Sequence, residues 1–134
     1  MASTQAAADC SVSTTGMAFG NYDVFSTSAL DSTATITVTC TSTTNVNLEI
    51  STGASHSFNP RIMQAGVTDD LNYNLYSNSN RTTIWGDGTG GTSFPTNRVR
   101  PSSAWTSTVY GRVPSQQDVS VGAYSDTVSV IIEF

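Results

Sequence analysis

The sequence predicts an all-β sandwich, on three observations. Strict alternation of apolar and polar residues recurs along the chain, as in "TATITVTCT", "NVNLEIS" and "LNYNLYS"; side chains at a period of two stand on one face of a strand. Helical periodicity is nearly absent. Clusters of Gly, Ser, Asn and Thr separate the alternating runs, and many short strands at such spacing indicate a sandwich rather than βαβ units.

Taken in order, residues 1–9 are a short N-terminal segment, and residues 10–134 are one domain. Short strands are expected at 10–13 and 17–19, then a long one at "TATITVTCT", with Ala34, Ile36, Val38 and Cys40 inward and threonines outward. "NVNLEIS" turns Val46, Leu48 and Ile50 to the core, and "LNYNLYS" turns Leu71, Tyr73 and Leu75. Short candidates lie at 61–64 and 83–85, and residues 88–103 read as the longest loop. "WTSTVYGRV" carries a weaker inward set of Trp105, Ser107, Val109, Gly111 and Val113.

The final run, "GAYSDTVSVIIEF", places Val128, Val130, Ile132 and Phe134 on one face. A long apolar strand with an open edge is an aggregation hazard unless something covers it. Either earlier strands flank this one on both sides, or another chain supplies the missing neighbour.

Composition removes several classes of function. Ten acids, five arginines and no lysine give a net charge of −5, so no basic stripe is available for nucleic acid or an anionic membrane surface. No apolar run approaches a membrane span. The start "MASTQAAADC" lacks the basic and apolar segments of a signal peptide, so an exported form is expected to have lost its leader, with Met1-Ala2-Ser3 an added start. Cys10 and Cys40 are the only cysteines. Without a CxxC pair, zinc is disfavoured, leaving a disulfide in an oxidising compartment or two buried thiols. A disulfide closing this loop stabilises by roughly 3–4 kcal/mol in the chain-entropy model.

Motifs for chemistry are weak, and neither enzyme activity nor a cofactor is expected. His56 lies in a small-residue turn, and no serine sits in a G-x-S-x-G elbow. "WGDGTGGT" offers Asp87, with Asp69 and Asp70, as calcium ligands, but the dense carboxylates of a calcium loop are missing and a tight turn is the better reading. Trp85 and Trp105 are candidates for stacking on a sugar, or for the core.

The punctuation carries more. "CSV", "FGNYD", "DSTATITVTC", "RIM", "LNYNLYS", "IWGDGTG", "VYGRVP" and "GAYSDTVSVIIEF" occur in the order found in the spore coat protein U domain family. The chain resembles that family from Cys10 to Phe134. The family includes subunits of archaic chaperone–usher pili of Gram-negative bacteria.

The resemblance implies a secreted, immunoglobulin-like sandwich of the pilin type with a Cys10–Cys40 disulfide. It further implies that the last strand is missing and that a donor strand completes the fold. A periplasmic chaperone fills the groove first; after passage through an outer-membrane usher, an extension of the neighbouring pilus subunit replaces it. Val128, Val130, Ile132 and Phe134 would form one wall of this acceptor groove. The implied location is the cell surface or an extracellular fibre, reached through the periplasm, with adhesion or biofilm formation as its use.

One feature departs from the pattern. Polymerising subunits carry alternating apolar residues before the first cysteine, whereas "MASTQAAAD" offers mainly alanine methyls. Three readings follow: a donor segment has been removed; the chain is a terminal subunit or the domain of a tip adhesin; or it is a spore-coat-type structural protein that assembles differently. A tip adhesin domain with a complete fold would bind surfaces through exposed loops, and Phe25, Phe58 and Phe94 are its candidate aromatics.

Overall fold

The computed structural model describes residues 9–65, 69–120 and 122–134. The N-terminal segment 1–9 therefore lies outside the described residues except for Asp9. The chain is all-β. Its strands are β1 (Cys10–Thr14), β2 (Asn21–Tyr22), β3 (Leu30–Cys40), β4 (Thr44–Ile50), β5 (Arg61–Ala65), β6 (Asp69–Tyr76), β7 (Thr96–Val99), β8 (Trp105–Val113), β9 (Gly122–Ala123) and β10 (Val130–Glu133). One sheet has the order β1-β3-β8-β6-β5 and faces a second with the order β10-β4-β7; β2 and β9 form a small ribbon. Every named pair is antiparallel.

The alternation read from the sequence sets the inner faces. Ile36 and Val38 from β3, Val46, Leu48 and Ile50 from β4, Leu71, Tyr73 and Leu75 from β6, and Val109 and Val113 from β8 are all buried. The ladder from Leu30↔Val113 to Val38↔Trp105 keeps the inward residues of β3 and β8 side by side, since a one-residue slip would turn both stripes outward.

Cys10 lies directly opposite Cys40 in the β1–β3 register, and the two form a disulfide. Thr41 N donates to Asp9 O beside them. The cysteines thus occupy a non-hydrogen-bonded pair, where facing side chains come closest.

Several expected elements differ. Residues 88–103 are not one loop, for β7 lies within them. Its signal was weak because "TNRV" is short and only Val99 is buried. Residues 17–19 form no strand, and residues 83–85 contribute only isolated bridges. That second stretch has another task. Trp85 N donates to Leu75 O of the first sheet, while Gly86 O accepts from Ile50 N of the second. Trp85 itself is fully buried, its Nε1 donating to Leu48 O at 2.8 Å, so it cannot stack on a sugar.

Beside Trp85 lies Arg61, also fully buried. Its Nε donates to Ser51 O, its Nη1 to Asn74 Oδ1 at 2.9 Å, and its Nη2 to the carbonyls of Ile50, Ser51 and Trp85 at 3.1, 2.8 and 2.7 Å. Asn74 Nδ2 in turn donates to Phe58 O, and the guanidinium lies 5.3 Å from the Phe58 ring centroid. One side chain therefore ties β4, β5, β6 and the Trp85 connector together. Burial pulls the Arg61 pKa down to about 10, so it remains charged at neutral pH.

Truncating Arg61 strands several buried carbonyls, and Arg61→Ala is expected to lower stability by about 3–5 kcal/mol. Urea unfolding measures it; an unchanged midpoint would show that those carbonyls find other partners.

Candidate functional site

The two sheets do not close on each other everywhere. An open cavity of about 560 Å³ lies between residues 16–21 on one side and residues 123–130 on the other. Its floor is the core itself: Ile36, Met63, Tyr73, Leu75 and Val109 from the first sheet and Ile50 from the second.

β10 borders this opening. It pairs with β4 on one side, from Val130↔Ile50 to Glu133↔Asn47. Among the described residues no strand pairs with its other edge. Ser51 N donates to Ser129 O, which fixes the alternation of the ladder. Ile131 and Glu133 share the phase of Ser129 and direct their backbone groups to β4. Val130 and Ile132 direct theirs to the free edge. The residues with unpaired backbone are thus the ones whose side chains lean on the core. β1 approaches β10 within 8 Å (Cα–Cα) without pairing with it.

The wall formed by residues 123–130 is firmly held. Gln64 and Ser125 exchange two backbone hydrogen bonds. Asp126 accepts from the Tyr73 hydroxyl and from Ala54 N, and Ser129 N donates to Ser51 Oγ at 2.8 Å. Burial and the Asp126 carboxylate together push the Tyr73 phenol well above its usual pKa, so the bond keeps its proton.

Of the residues proposed from sequence, Val128 and Val130 line the cavity, and Ile132 packs against the core next to them. Phe134 lies outside the strand and is 61% exposed. The candidate adhesive aromatics differ from one another. Phe94 is half-buried against the core, and a methyl on Gly88 would lie 3.1 Å from its ring. Phe58 sits near the same glycine loop, 3.9 Å from a methyl on Gly90. Phe25 is 86% exposed in a turn closed by its N–H to Asp23 Oδ1, and no described contact joins it to the other two.

The glycine loop is a turn: Asp87 Oδ1 accepts from Thr89 N and Thr89 Oγ1. Asp69 and Asp70 are engaged elsewhere, with Ser120 and Gln64. Among the described residues, no group of three His, Cys, Asp or Glu side chains is placed to hold a metal. Nor is any described helix long and apolar enough to cross a membrane.

Sequence reasoning missed the cavity's near wall, Met17 and Phe19. "GMAFG" is a short apolar run between glycines, and its alternation reads as a strand although it makes no ladder. The floor residues were recognised as core, but which of them border an opening depends on strand order.

The sequence matches the Spore Coat Protein U domain over residues 1–131, and the chain belongs to that family. It is 34% identical over 113 residues to "Protein U" of Myxococcus xanthus, covering 84% of this chain but only 62% of that protein. Among solved structures it resembles a chain of the CsuC–CsuE chaperone–tip adhesion subunit pre-assembly complex from archaic chaperone–usher Csu pili of Acinetobacter baumannii. That match has a TM-score of 0.65 at 21% identity, over 96% of this chain and 40% of that one. The E. coli Hda pilus minor tip subunit, HdaB, matches more loosely, with a TM-score of 0.40 at 19% identity, over 92% of this chain and 79% of that one. The strand arrangement and the match to the Csu structure give the fold as the immunoglobulin-like sandwich of the pilin type.

A charge conflict marks the outer face of the β10–β4 pair. Glu49 is buried and faces the Glu133 carboxyl from β10. Burial first, then Glu133 and Asp87, hold its pKa above the ordinary 4.5. A raised acid pKa means that the folded state binds the proton more tightly. Its stabilisation is present below pH 4.5 and is lost as pH rises through the folded value. Glu49→Gln is expected to flatten that part of the Tm-versus-pH curve and to raise Tm at pH 7. An unaltered curve would show that Glu49 ionises without cost.

Proposed function

We propose that this domain is a structural subunit of a secreted bacterial surface fibre of the archaic chaperone–usher type. In this reading the groove accepts an extended strand from a neighbouring subunit, and the fibre serves adhesion or biofilm formation. The observation that carries the proposal is the edge of β10, unpaired among the described residues, at the mouth of a core-floored groove. An inserted strand would satisfy the free N–H and C=O groups of Val130 and Ile132. Alternate side chains would descend between Ile36, Leu75 and Val109, each fully buried residue adding roughly 1.5–3 kcal/mol. Val128, Val130 and Ile132 form the wall against which it lies, and Phe134 extends that line.

The partners follow from the role. A periplasmic chaperone covers the groove before assembly, an outer-membrane usher passes the subunit outward, and a neighbouring subunit supplies the final strand. The role needs no catalysis or cofactor. The domain reaches its place through the periplasm.

A second reading is favoured by the 34% identity to Protein U of Myxococcus xanthus: a spore-coat structural protein built on the same sandwich. It shares the groove but not the fibre. The reading as a tip adhesin domain with loop aromatics draws less support, since Phe94 is committed to the core.

The test is an extended peptide of about ten residues with Val and Ile at alternate positions, added to the purified chain. At a hundredfold excess over its Kd it should contribute about 2.7 kcal/mol, or roughly 10 °C in Tm, as a 1:1 complex. Val130→Asp should abolish that gain. A chain whose Tm and size ignore the peptide would defeat the fibre-subunit reading.

A further inference from the structure

The two walls of the groove are held very differently. Residues 123–130 are fastened by the Gln64–Ser125, Asp126–Tyr73, Asp126–Ala54 and Ser129–Ser51 bonds. The opposite wall, residues 16–20, is a strap hung between two fixed points. At one end β1 is bound to β3 by the disulfide and a five-pair ladder. At the other, Tyr22 pairs in the β2–β9 ribbon, donates its hydroxyl to Pro114 O and accepts from Gln117 N.

Among the described residues the strap has one polar tie to a neighbouring strand, from Ser32 Oγ to Ala18 O at 2.8 Å, besides the local bond from Thr15 Oγ1 to Gly16 O at 3.2 Å. It begins and ends in glycines in the left-handed region, Gly16 at φ +73° and Gly20 at φ +76°, each with open space where a side chain would stand. Its two large side chains point inward. Both Met17 and Phe19 line the cavity and pack against the core. They rest over Gly111 of β8: a methyl there would collide with Met17 Sδ and lie 2.7 Å from Phe19 Cζ. The Phe19 ring also meets Tyr73 edge-on at 6.3 Å.

Where β1 and β10 approach each other the border leaves no room for a strand, so entry has to come past residues 16–20, which line the cavity. A strand inserted between two others needs about 9.6 Å, twice the inter-strand spacing, whereas β1 and β10 come within 8 Å (Cα–Cα). The strap is the loosely held part of this border.

We infer that residues 16–20 are a glycine-hinged strap that partly closes the groove in the unpartnered domain and swings outward to admit the incoming strand. Gly111 is the socket that receives Met17 and Phe19 in the closed position. This inference rests on the strand-accepting reading and adds its regulation: the rate of uptake is set by the fraction of chains with the strap open. The closed strap also covers Tyr73 and its apolar neighbours before a partner arrives, lowering the hazard of an open core.

The experiment follows the association rate of the alternating Val/Ile peptide, fluorescently labelled, with the native chain and four variants. Gly111→Ala evicts Met17 and Phe19 from their seat. Gly16→Ala and Gly20→Ala strain the closed hinge, since an L side chain disfavours positive φ. Gly91→Ala is the control, because Gly91 has a similar φ of +79° with no neighbour and lies outside the groove lining. The three strap variants are expected to bind roughly threefold to tenfold faster than the native chain, and the control at the native rate. Equal rates for all five, slower binding by the strap variants, or equal acceleration by the control would overturn the strap. Failure of the native chain to bind peptide would overturn both the strap and the fibre-subunit reading. A strap variant that loses its native circular dichroism is set aside, and the remaining two decide.

Discussion

Arg61 holds together the part of this sandwich that everything else leans on. A buried guanidinium is costly to desolvate, and among the described residues no carboxylate hydrogen-bonds to it; carbonyls at the end of β4 and in the Trp85 connector, with Asn74, accept its hydrogen bonds instead. Five donors in a rigid plane suit several acceptors converging from different segments, which a lysine could not match. The result is a polar knot inside an apolar core, next to the fully buried Trp85. It fixes where β4 ends, and so where β10 and residues 123–130 can lie.

From that knot outward the structure divides into a fastened half and an open one. The β3–β8 ladder, the disulfide and the Arg61 cluster give a closed body. At the border between β1 and β10 the backbone hydrogen bonding stops, and side chains of the core come to light. An edge of this kind would normally be blunted by charge or proline. Here the free edge carries Val130 and Ile132, and the nearest blunting device is the strap with Met17 and Phe19. Glu133 and Glu49 lie on the outer face and do not guard the groove. A firmly held wall facing a loosely held strap suits a site that must rearrange to accept a partner.

Much of this was legible from the chain alone. The inward sets of β3, β4, β6 and β8 follow from alternation, as does the weak stripe of β8, in which Gly111 is small because Met17 and Phe19 stand above it. The family was legible through ordered short motifs spread along nearly the whole domain. Less legible were β7, which is too short and polar to signal itself, and residues 17–19, whose alternation reflects packing against the core rather than a ladder. Phe94 read as a loop aromatic because its neighbours are polar. It lies against the core because residues 93–95 run beside Gly86 and Leu48, with backbone bonds to both.

The sequence by itself determined the fold class and the faces of the long strands, because both depend on local periodicity, and with two cysteines it left one possible disulfide beside two free thiols. Tertiary structure alone decided that Arg61 would be interior, that β10 would have one neighbour among the described strands, and that Met17 and Phe19 would overhang the gap. Those facts depend on which strands meet across tens of residues, and side-chain alternation is the same for an edge strand as for a central one.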